Sequence, residues 1–305
     1  MVLTDYDVIF DLVRGLKELP RVVIAGAESD NVIAGGFECL RERLSFPVFV
    51  GDQDKIKRLI AEGGFEDEPC EIVPCPEGED PCVKAVELVA EGAGDCLMKG
   101  LVETADFLRP IVSRKYGLRT GGAITHVGFA KLPNYPKLVA LSDCAIIPFP
   151  DVDARQHMVE NMTGVFHALG VERPNIGLLS AVEVENPSIP DTSEALELVR
   201  RWREGAMAGC NLAGPISYDL SMSRRSAELK GYDCPWCGDF DGLVASNIVV
   251  ANVLGKSWQI TAETPQGGLV VGAKVPVLVN SRSMEAGDRL RSMAVAMAVA
   301  AGQKS

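Results

Sequence analysis

Short apolar runs alternate with amphipathic stretches of helical length through the first half of the chain. The apolar runs predict buried strands at residues 21–26, 47–51, 70–73 and 95–99. The stretches that follow them predict helices at residues 32–43, 54–61, 81–91 and 104–115. Because strands that alternate with helices need crossover connections, this half of the chain predicts a parallel sheet packed against helices, an α/β fold.

The pattern changes after Leu141. The passage Ile146-Ile-Pro-Phe-Pro150 cannot continue a regular helix, because proline has no backbone N–H to donate. We therefore place the boundary between two α/β lobes at residue 146. In the second half the pattern predicts helices at 154–169, 193–205 and 227–230, a strand at 175–180, a further segment at 247–254, a last strand at 275–279 and a last helix at 285–301.

Charge and cysteine content narrow the class of protein. The formal net charge of -12 argues against nonspecific binding to nucleic acid or to an anionic membrane surface, since the long-range field repels both. The nine cysteines lack the spacing of a secreted disulfide scaffold. The N-terminus carries acids where a signal peptide carries positive charge, and no apolar run reaches membrane-spanning length. The sequence therefore predicts a cytoplasmic protein.

Polar residues follow several predicted strands, at the sheet edge where open α/β enzymes bind substrates. The turns are Met98-Lys-Gly100, Ser180-Ala-Val-Glu183, Gly214-Pro-Ile-Ser-Tyr-Asp219 and Asn280-Ser-Arg282. The last turn opens the last helix, so Ser281, Arg282 and the free backbone N–H groups can form a cradle for an oxyanion or a phosphate. Equally, Ser281 can be a helix cap and Arg282 a surface residue. Asp288 lies two turns later. From the local sequence alone it is interpreted as a solvated carboxylate near the start of a helix.

Other polar residues give weaker signals. Ser217 and Asp219 can be explained as turn caps. Asp239 and Asp241 are paired acids with no histidine beside them, which signals a hard metal only weakly. Cys234-Pro-Trp-Cys237 has thioredoxin-like spacing but no matching strand before it, so we interpret it as two ordinary loop cysteines. His126 lies in an apolar passage and is interpreted as a core histidine, and the sequence predicts no metal site.

In chain order, these turns resemble those of the phosphate acetyltransferase and phosphate butyryltransferase family. The resemblance covers nearly the whole chain, and its collinear order makes it specific. The segments that carry it are Leu97-Met-Lys-Gly-Leu-Val-Glu-Thr104, Leu108-Arg-Pro110, Thr125-His-Val127, Leu141-Ser-Asp-Cys-Ala145, Pro150-Asp151, Leu178-Leu-Ser-Ala-Val-Glu183, Gly214-Pro-Ile-Ser-Tyr-Asp219, Gly238-Asp-Phe-Asp241, Ala251-Asn-Val-Leu-Gly-Lys256 and Ser281-Arg282.

The resemblance implies two three-layer α/β lobes with a cleft between them, as in the isocitrate and isopropylmalate dehydrogenases. The first lobe would span residues 1–146 and be joined by the C-terminal segment 276–305, and the second would span 147–275. It also implies a homodimer or larger homo-oligomer and no required redox cofactor. The implied reaction converts acyl-CoA and phosphate to acyl phosphate and free CoA, with CoA as a substrate.

The resemblance also implies which residues act. Ser281, Arg282 and Asp288 match family positions tied to catalysis, and Arg109 matches an arginine beside the phosphate site. The further substrate-binding positions that it implies are Lys99, Ser217, Asn252 and Lys256. The chain departs from the family pattern at Ala245-Ser-Asn247 and at Ala251, which replaces a glycine. If that position needed a positive φ, alanine would adopt it less readily than glycine.

Two other functions stay open at this point. A metal-dependent decarboxylating dehydrogenase of the same fold would need a cluster of acids, for which Asp219, Asp239 and Asp241 are the candidates. A non-catalytic protein that binds CoA or acyl phosphate would retain the fold without turnover. The sequence does not identify the acyl group. The likeness to the butyryl-type members, through residues 125–127 and 214–215, favours three to five carbons.

Overall fold

The computed structural model describes residues 1–279 and 284–304. Its strands are β1 (Arg21–Ala25), β2 (Phe46–Gly51), β3 (Glu71–Pro74), β4 (Cys96–Lys99), β5 (Thr125–Ala130), β6 (Val139–Ser142), β7 (Asn175–Leu179), β8 (Asn211–Ile216), β9 (Gly242–Val244), β10 (Gln266–Val271) and β11 (Val277–Leu278). Its helices are α1 (Tyr6–Arg14), α2 (Asp30–Arg41), α3 (Gln53–Glu62), α4 (Pro81–Ala90), α5 (Thr104–Val112), α6 (Val152–Ala168), α7 (Pro190–Arg203), α8 (Tyr218–Met222), α9 (Arg224–Lys230), α10 (Ile248–Thr261) and α11 (Ala286–Gly302).

Backbone contacts divide the chain into two units. We call Met1–Tyr6 with Thr125–Gln266 the central unit, and Asp7–Ile124 with Gly267–Ser305 the terminal unit. The lobe boundaries that the sequence predicts, after residue 146 and before residue 276, stay predictions. The predicted α/β fold class is confirmed, because each unit contains a largely parallel sheet and helices that connect its strands.

The sheet of the terminal unit has the order β3-β2-β1-β4-β11-β10. Its strands run parallel except β10, which is antiparallel to β11. The four strand–helix pairs predicted in this half are confirmed. Nearly every residue of β1 and β2 is buried, which is why both strands read as continuous apolar runs and not as alternating ones.

Local side chains determine where several helices of the terminal unit begin and end. The Asp52 carboxylate accepts hydrogen bonds from the backbone N–H groups of Asp54 and Lys55 and so caps α3. Helix α5 ends at Val112, so the prediction that it continues to residue 115 is wrong. Ser113 has an extended backbone and accepts a hydrogen bond from the Lys115 N–H, which starts a separate 3₁₀ turn, Arg114–Tyr116.

The sheet of the central unit has the order β5-β6-β9-β7-β8, in which only β5 is antiparallel to its neighbour. Helix α6 covers one face, where a Cβ on Gly242 would collide with Met162. On the other face Leu141 and Leu243 belong to the same core cluster as Trp258 of α10. The sheet is therefore buried on both faces. None of the helices in the described residues is long and apolar enough to span a bilayer.

A buried lysine holds the amino ends of three strands together in the central unit. Lys137 precedes β6, and its Nζ lies 2.8 Å from Asp241, just before β9, and 3.0 Å from Asp239. Asp241 also accepts a hydrogen bond from the backbone N–H of Asn175, the first residue of β7, at 2.7 Å. The paired acids that signalled a metal therefore have a cationic partner. They also lie at the amino ends of the strands, opposite the edge where α/β enzymes bind substrates.

Replacing Lys137 by methionine is expected to lower the free energy of unfolding by about 3 kcal/mol, because it leaves the buried Asp241 carboxylate without its cation. Urea unfolding followed by circular dichroism measures the loss. Lys131→Met is the matched control, since the Lys131 ammonium is exposed and donates only to the Thr4 carbonyl among the contacts described for it. Equal stability of the two variants would contradict the role assigned to Lys137.

Candidate active site

Polar side chains follow the parallel strands of the central unit at one edge of its sheet. Ser142 ends β6, Ser180 follows β7, Ser217 follows β8, and Ala245-Ser-Asn247 follows β9. Neighbouring strands are in parallel register, with Ser142 beside Val244 and Val244 beside Leu178. The two predicted turns in this unit, after residues 179 and 216, therefore lie at the carboxyl ends of adjacent strands. This is the edge at which α/β sheets bind ligands.

Asp143 organises the backbone after β6. Its buried carboxylate accepts hydrogen bonds from the backbone N–H groups of Ala145 (2.7 Å), Ile146 (2.8 Å) and His126 (3.1 Å). Burial lowers the pKa of the His126 imidazole, and the Asp143 charge only partly opposes this effect. The ring is therefore neutral at pH 7, and among the described residues its Nδ1 has no hydrogen-bond partner. The His126 side chain is half-buried, and its Nδ1 atom is fully enclosed by the protein.

Ser217 belongs to a small charged cluster at the start of α8. Its hydroxyl contacts the carboxylates of Glu183 and, at 2.7 Å, Asp219. The Lys230 ammonium lies 3.0 Å from Asp219 and 3.7 Å from Glu183, which compensates the two negative charges. The hydrogen bonds from Ser217 and Lys230 lower the pKa of Asp219. The predicted substrate-binding Ser217 thus faces two carboxylates, which makes it a poor ligand for phosphate itself.

Helix α10 carries the two other predicted positions of the central unit. The Asn247 side chain caps the helix by accepting from the backbone N–H of Val250. The Asn252 amide donates to the Cys144 carbonyl at 3.1 Å, and Lys256, one turn later, has an exposed side chain. Ala251 is buried inside this helix and is not among the residues of positive φ. The replacement of glycine at this position therefore introduces no backbone strain.

A pocket of about 760 Å³ opens beside the first turns of α10. We call it the α10 pocket. Val249, Val250 and Val253 line it from the helix, and Leu179 and Ser180 line it from the end of β7. The three valines are exposed, so the pocket presents apolar surface to solvent. This pocket was not predicted from the sequence, in which residues 247–254 were given no secondary structure.

Three predicted positions of the terminal unit lie among its described residues, namely Lys99, Arg109 and Asp288. Lys99 ends β4, and its ammonium donates to the carbonyl of Val102 at 2.9 Å. Gly100 follows, and a Cβ there would collide with the Gly26 carbonyl of the turn after β1. Only glycine allows these two strand ends to approach so closely. β11 runs parallel beside β4, and its carboxyl end leads toward Ser281 and Arg282, which lie outside the described residues.

Arg109 and Asp288 differ in exposure. The Arg109 guanidinium on α5 is largely exposed and pairs with Asp106 at 2.7 Å. Asp288 lies in the first turn of α11 and is buried, with its carboxylate 2.7 Å from a guanidinium nitrogen of Arg291. The local interpretation of Asp288 as a solvated carboxylate is therefore wrong, because α11 packs that position inward. Arg109 is placed where an anion from solvent can reach it.

The cysteine pair does not form a reactive site. Cys234 and Cys237 lie in a turn and are free thiols, with Cys237 buried. Burial, reinforced by the neighbouring Cys234, raises the pKa of the Cys237 thiol to about 12. A thiol with so high a pKa is a poor nucleophile. Within residues 1–279 and 284–304, no group of His, Cys, Asp and Glu side chains is arranged to hold a metal ion.

Comparison with known proteins identifies the family. The model of the family described as phosphate acetyl/butaryl transferase matches residues 76–297. The chain belongs to this family. The predicted resemblance is thereby confirmed. The match includes Lys99, the polar turns after β6 to β9, and the segment 280–283.

Relatives in the family are similar to the chain over most of their length. The chain is 34% identical to the phosphate butyryltransferase of Clostridium acetobutylicum over 94% of this chain and 95% of that protein. It is 32% identical to the phosphate acetyltransferase of Thermotoga maritima over 90% and 93% of the two chains. The butyryltransferase and the acetyltransferase are therefore almost equally similar to this chain. Sequence identity alone does not show which acyl group the chain transfers.

Solved structures support the same assignment. A branched-chain phosphotransacylase from Enterococcus faecalis V583 superposes with a TM-score of 0.81 at 30% identity, covering 92% of this chain and 99% of that one. A 4-hydroxythreonine-4-phosphate dehydrogenase from Salmonella typhimurium has a TM-score of 0.60 at 12% identity. This second likeness shows a shared fold only. The dehydrogenase-like fold expected for the phosphate acetyl/butaryl transferase family is thereby confirmed.

Proposed function

We propose that this protein transfers a short acyl group between coenzyme A and inorganic phosphate, so that acyl-CoA and phosphate interconvert with acyl phosphate and free CoA. The observation that carries the proposal is family membership over most of the chain, with 30% to 34% identity to butyryl, acetyl and branched-chain phosphotransacylases. The protein is accordingly an acyltransferase enzyme. Transfer involves no net oxidation, so the reaction requires no redox cofactor.

In the proposed chemistry, a phosphate oxygen attacks the thioester carbonyl carbon. The C–S bond breaks, and the departing thiolate takes up a proton to give free CoA. In the reverse direction a base removes that proton, since a thiol with a pKa of about 8.5 is mostly protonated at pH 7. Asp288 is assigned this base role, and Ser281 is assigned to donate to the carbonyl oxygen as negative charge develops on it.

The cations among the predicted residues suit the anionic parts of the substrates. Arg282 and Arg109 are assigned to bind phosphate, because a guanidinium offers two parallel N–H donors to a pair of phosphate oxygens. The exposed side chain of Arg109 supports this assignment. Lys99 is assigned to the same phosphate and Lys256 to a phosphate of CoA. Asn252 and Ser217 are assigned supporting contacts to substrate.

The setting of the reaction is part of the proposal. We place it in the cytoplasm, where CoA is available, and expect a homodimer or larger homo-oligomer. An acyl group of three to five carbons is favoured, and the 30% identity to a branched-chain phosphotransacylase is consistent with that range. The dehydrogenase alternative has less support, because Lys137 neutralises Asp239 and Asp241 and these acids lie at the amino ends of the strands.

The first experiment measures thiol release from acetyl-, propionyl-, butyryl- and isobutyryl-CoA, with and without phosphate. We expect release that depends on phosphate and that is fastest with a three- to five-carbon acyl group. Arg282→Ala should abolish most of it, and Lys274→Ala, which removes an exposed cation just before β11, should retain it. CoA binding without turnover would favour the non-catalytic alternative. Reduction of NAD or NADP with a hydroxy acid would favour the dehydrogenase.

A further inference from the structure

Helix α6 carries an arginine that is completely enclosed within the central unit. The side chain of Arg155 is 0% exposed, and its described ion pair joins Nη1 to the Glu194 carboxylate of α7 at 3.1 Å. Its Nε and Nη2 atoms have no hydrogen-bond partner among residues 1–279 and 284–304. Since a guanidinium carries five N–H donors, the described residues leave most of its hydrogen-bonding capacity unused.

Burial of this arginine costs free energy. Burial lowers the pKa of the Arg155 guanidinium, and the hydrogen bond and charge of Glu194, together with the charge of Asp191, oppose this effect. A cation removed from water without partners for its donors is unfavourable. Apolar residues in the place of a buried ion pair are often at least as stabilising. Stability alone therefore does not account for a charged residue at position 155.

The partner of Arg155 belongs to the first turns of α7. Glu194 follows Asp191 by three residues, so the two carboxylates lie on the same side of the helix. Asp191 is in the first turn of α7 and also lines the α10 pocket. The guanidinium thus attracts two acids at the start of α7, one of which belongs to the pocket wall. Arg155 therefore fixes the position of that part of the wall from behind.

The loop between β7 and α7 is hydrogen-bonded to the same turn of the helix. The buried Thr192 hydroxyl accepts from the backbone N–H of Asn186 at 2.9 Å and donates to the Ile189 carbonyl at 2.7 Å. The first residues of this loop, Ser180 and Ala181, line the α10 pocket as well. A shift of the first turn of α7 would therefore move the loop together with Asp191.

We propose that Arg155 is a positioning residue for acyl-CoA, which holds the first turn of α7 and the loop before it in the arrangement that the substrate requires. The inference rests on the proposed exchange between coenzyme A and phosphate, and on the place of the α10 pocket at the edge of the sheet where α/β folds bind ligands. Because Arg155 is enclosed, it acts through Asp191 and the loop. Loss of its charge should therefore affect acyl-CoA and not phosphate.

The principal test replaces Arg155 by methionine, which is apolar. We expect the KM for acyl-CoA to rise about tenfold, because the substrate must then order the loop itself, while kcat and the KM for phosphate stay unchanged. The melting temperature should stay within about 4 °C of the wild type, because Glu194 is partly exposed and can be hydrated once the cation is lost. Arg155→Lys keeps a cation at the same place and should restore most of the affinity.

Arg201→Met is the matched control. Arg201 joins the same two helices through an ion pair with Asp153 at 2.7 Å, but it is partly exposed and lies ten residues after Asp191 on α7. Its replacement should leave the KM for acyl-CoA unchanged. Glu194→Gln tests the buried pair from its accessible member, and it decides the matter if Arg155→Met does not fold. It should raise the KM for acyl-CoA severalfold.

Isothermal titration of CoA separates this inference from the proposed function, because it needs no turnover. Weaker CoA binding in Arg155→Met, with normal binding in Arg201→Met, would support the positioning role. Unchanged affinity in both Arg155→Met and Glu194→Gln would overturn it, and so would an equal loss of affinity in Arg155→Met and Arg201→Met, which would show that Arg155 only packs the two helices. A wild type that binds CoA without phosphate-dependent turnover would refute the proposed function alone.

Discussion

Replacing Ser281 by alanine is expected to lower kcat about a hundredfold or more, with little change in the KM for acyl-CoA or phosphate, because one donor to a developing oxyanion contributes roughly that much to turnover. The reason is that negative charge appears on the thioester carbonyl oxygen only as phosphate attacks. A hydroxyl that donates to this oxygen stabilises the transition state more than the bound substrate. Steady-state rates of thiol release at varied acyl-CoA and phosphate concentrations measure both parameters.

Ser283→Ala is the matched control for this prediction. It removes a hydroxyl two residues further along the same segment, at a position to which the family resemblance assigns no role. It should retain near wild-type kcat. If Ser281→Ala raised KM without lowering kcat, the hydroxyl would act in substrate binding. If it lowered thermal stability and left turnover intact, the role of Ser281 would be structural and not catalytic.

The buried parallel strands of the terminal unit were the easiest part of the fold to predict, whereas β6, β8 and β9 of the central unit, which also have parallel neighbours, were not predicted. β1, β2 and β4 are buried on both faces, so their sequences are continuous apolar runs that a helix-length amphipathic stretch follows. β5, Thr125–Ala130, was missed because it alternates polar and apolar residues with a glycine inside and pairs antiparallel with β6. β10 was missed because it begins with Gln266-Gly-Gly, and adjacent glycines are typical of a turn.

The edge of the sheet that holds the candidate site was also predictable, but its contacts were not. A polar turn after an apolar strand can be recognised from a short window of sequence, as at Ser180 and Ser217. The partners of these side chains come from distant segments. Ser217 meets Glu183 across 34 positions, and Lys137 meets Asp239 across 102. A short window of sequence does not contain both members of such a pair. The ion pairs of Lys137 with Asp239 and Asp241 could therefore be found only in the structure.

The α10 pocket shows a different limit of sequence reasoning. The run Ile248-Val-Val-Ala-Asn-Val-Leu254 is almost wholly apolar. The structure buries Ala251 and leaves Val249 and Val253 exposed. Periodicity shows which residues share a helix face, but it does not show whether protein or solvent covers that face. An exposed apolar helix face is therefore a functional signal that becomes visible only with coordinates.

Replacing Asp288 by asparagine is expected to slow the reaction of acyl phosphate with CoA about a hundredfold at pH 7, the typical contribution of a general base. Asparagine keeps the size of the side chain and an oxygen that can accept from Arg291, so the buried geometry survives. It removes the ability to accept the thiol proton, together with the negative charge that pairs with Arg291. Since an enzyme leaves the equilibrium unchanged, the reverse reaction should be slowed in proportion.

The pH dependence separates a base from a structural carboxylate. At pH 7 about 3% of a thiol with a pKa of about 8.5 is already thiolate, and above pH 9.5 almost all of it is. A variant that relies on spontaneous ionisation should therefore recover as pH rises. The ratio of wild-type to Asp288→Asn rate should fall about thirtyfold between pH 7 and pH 10. Arg291→Gln is the control, because a role limited to the ion pair predicts that both variants lose activity by a factor that does not change with pH.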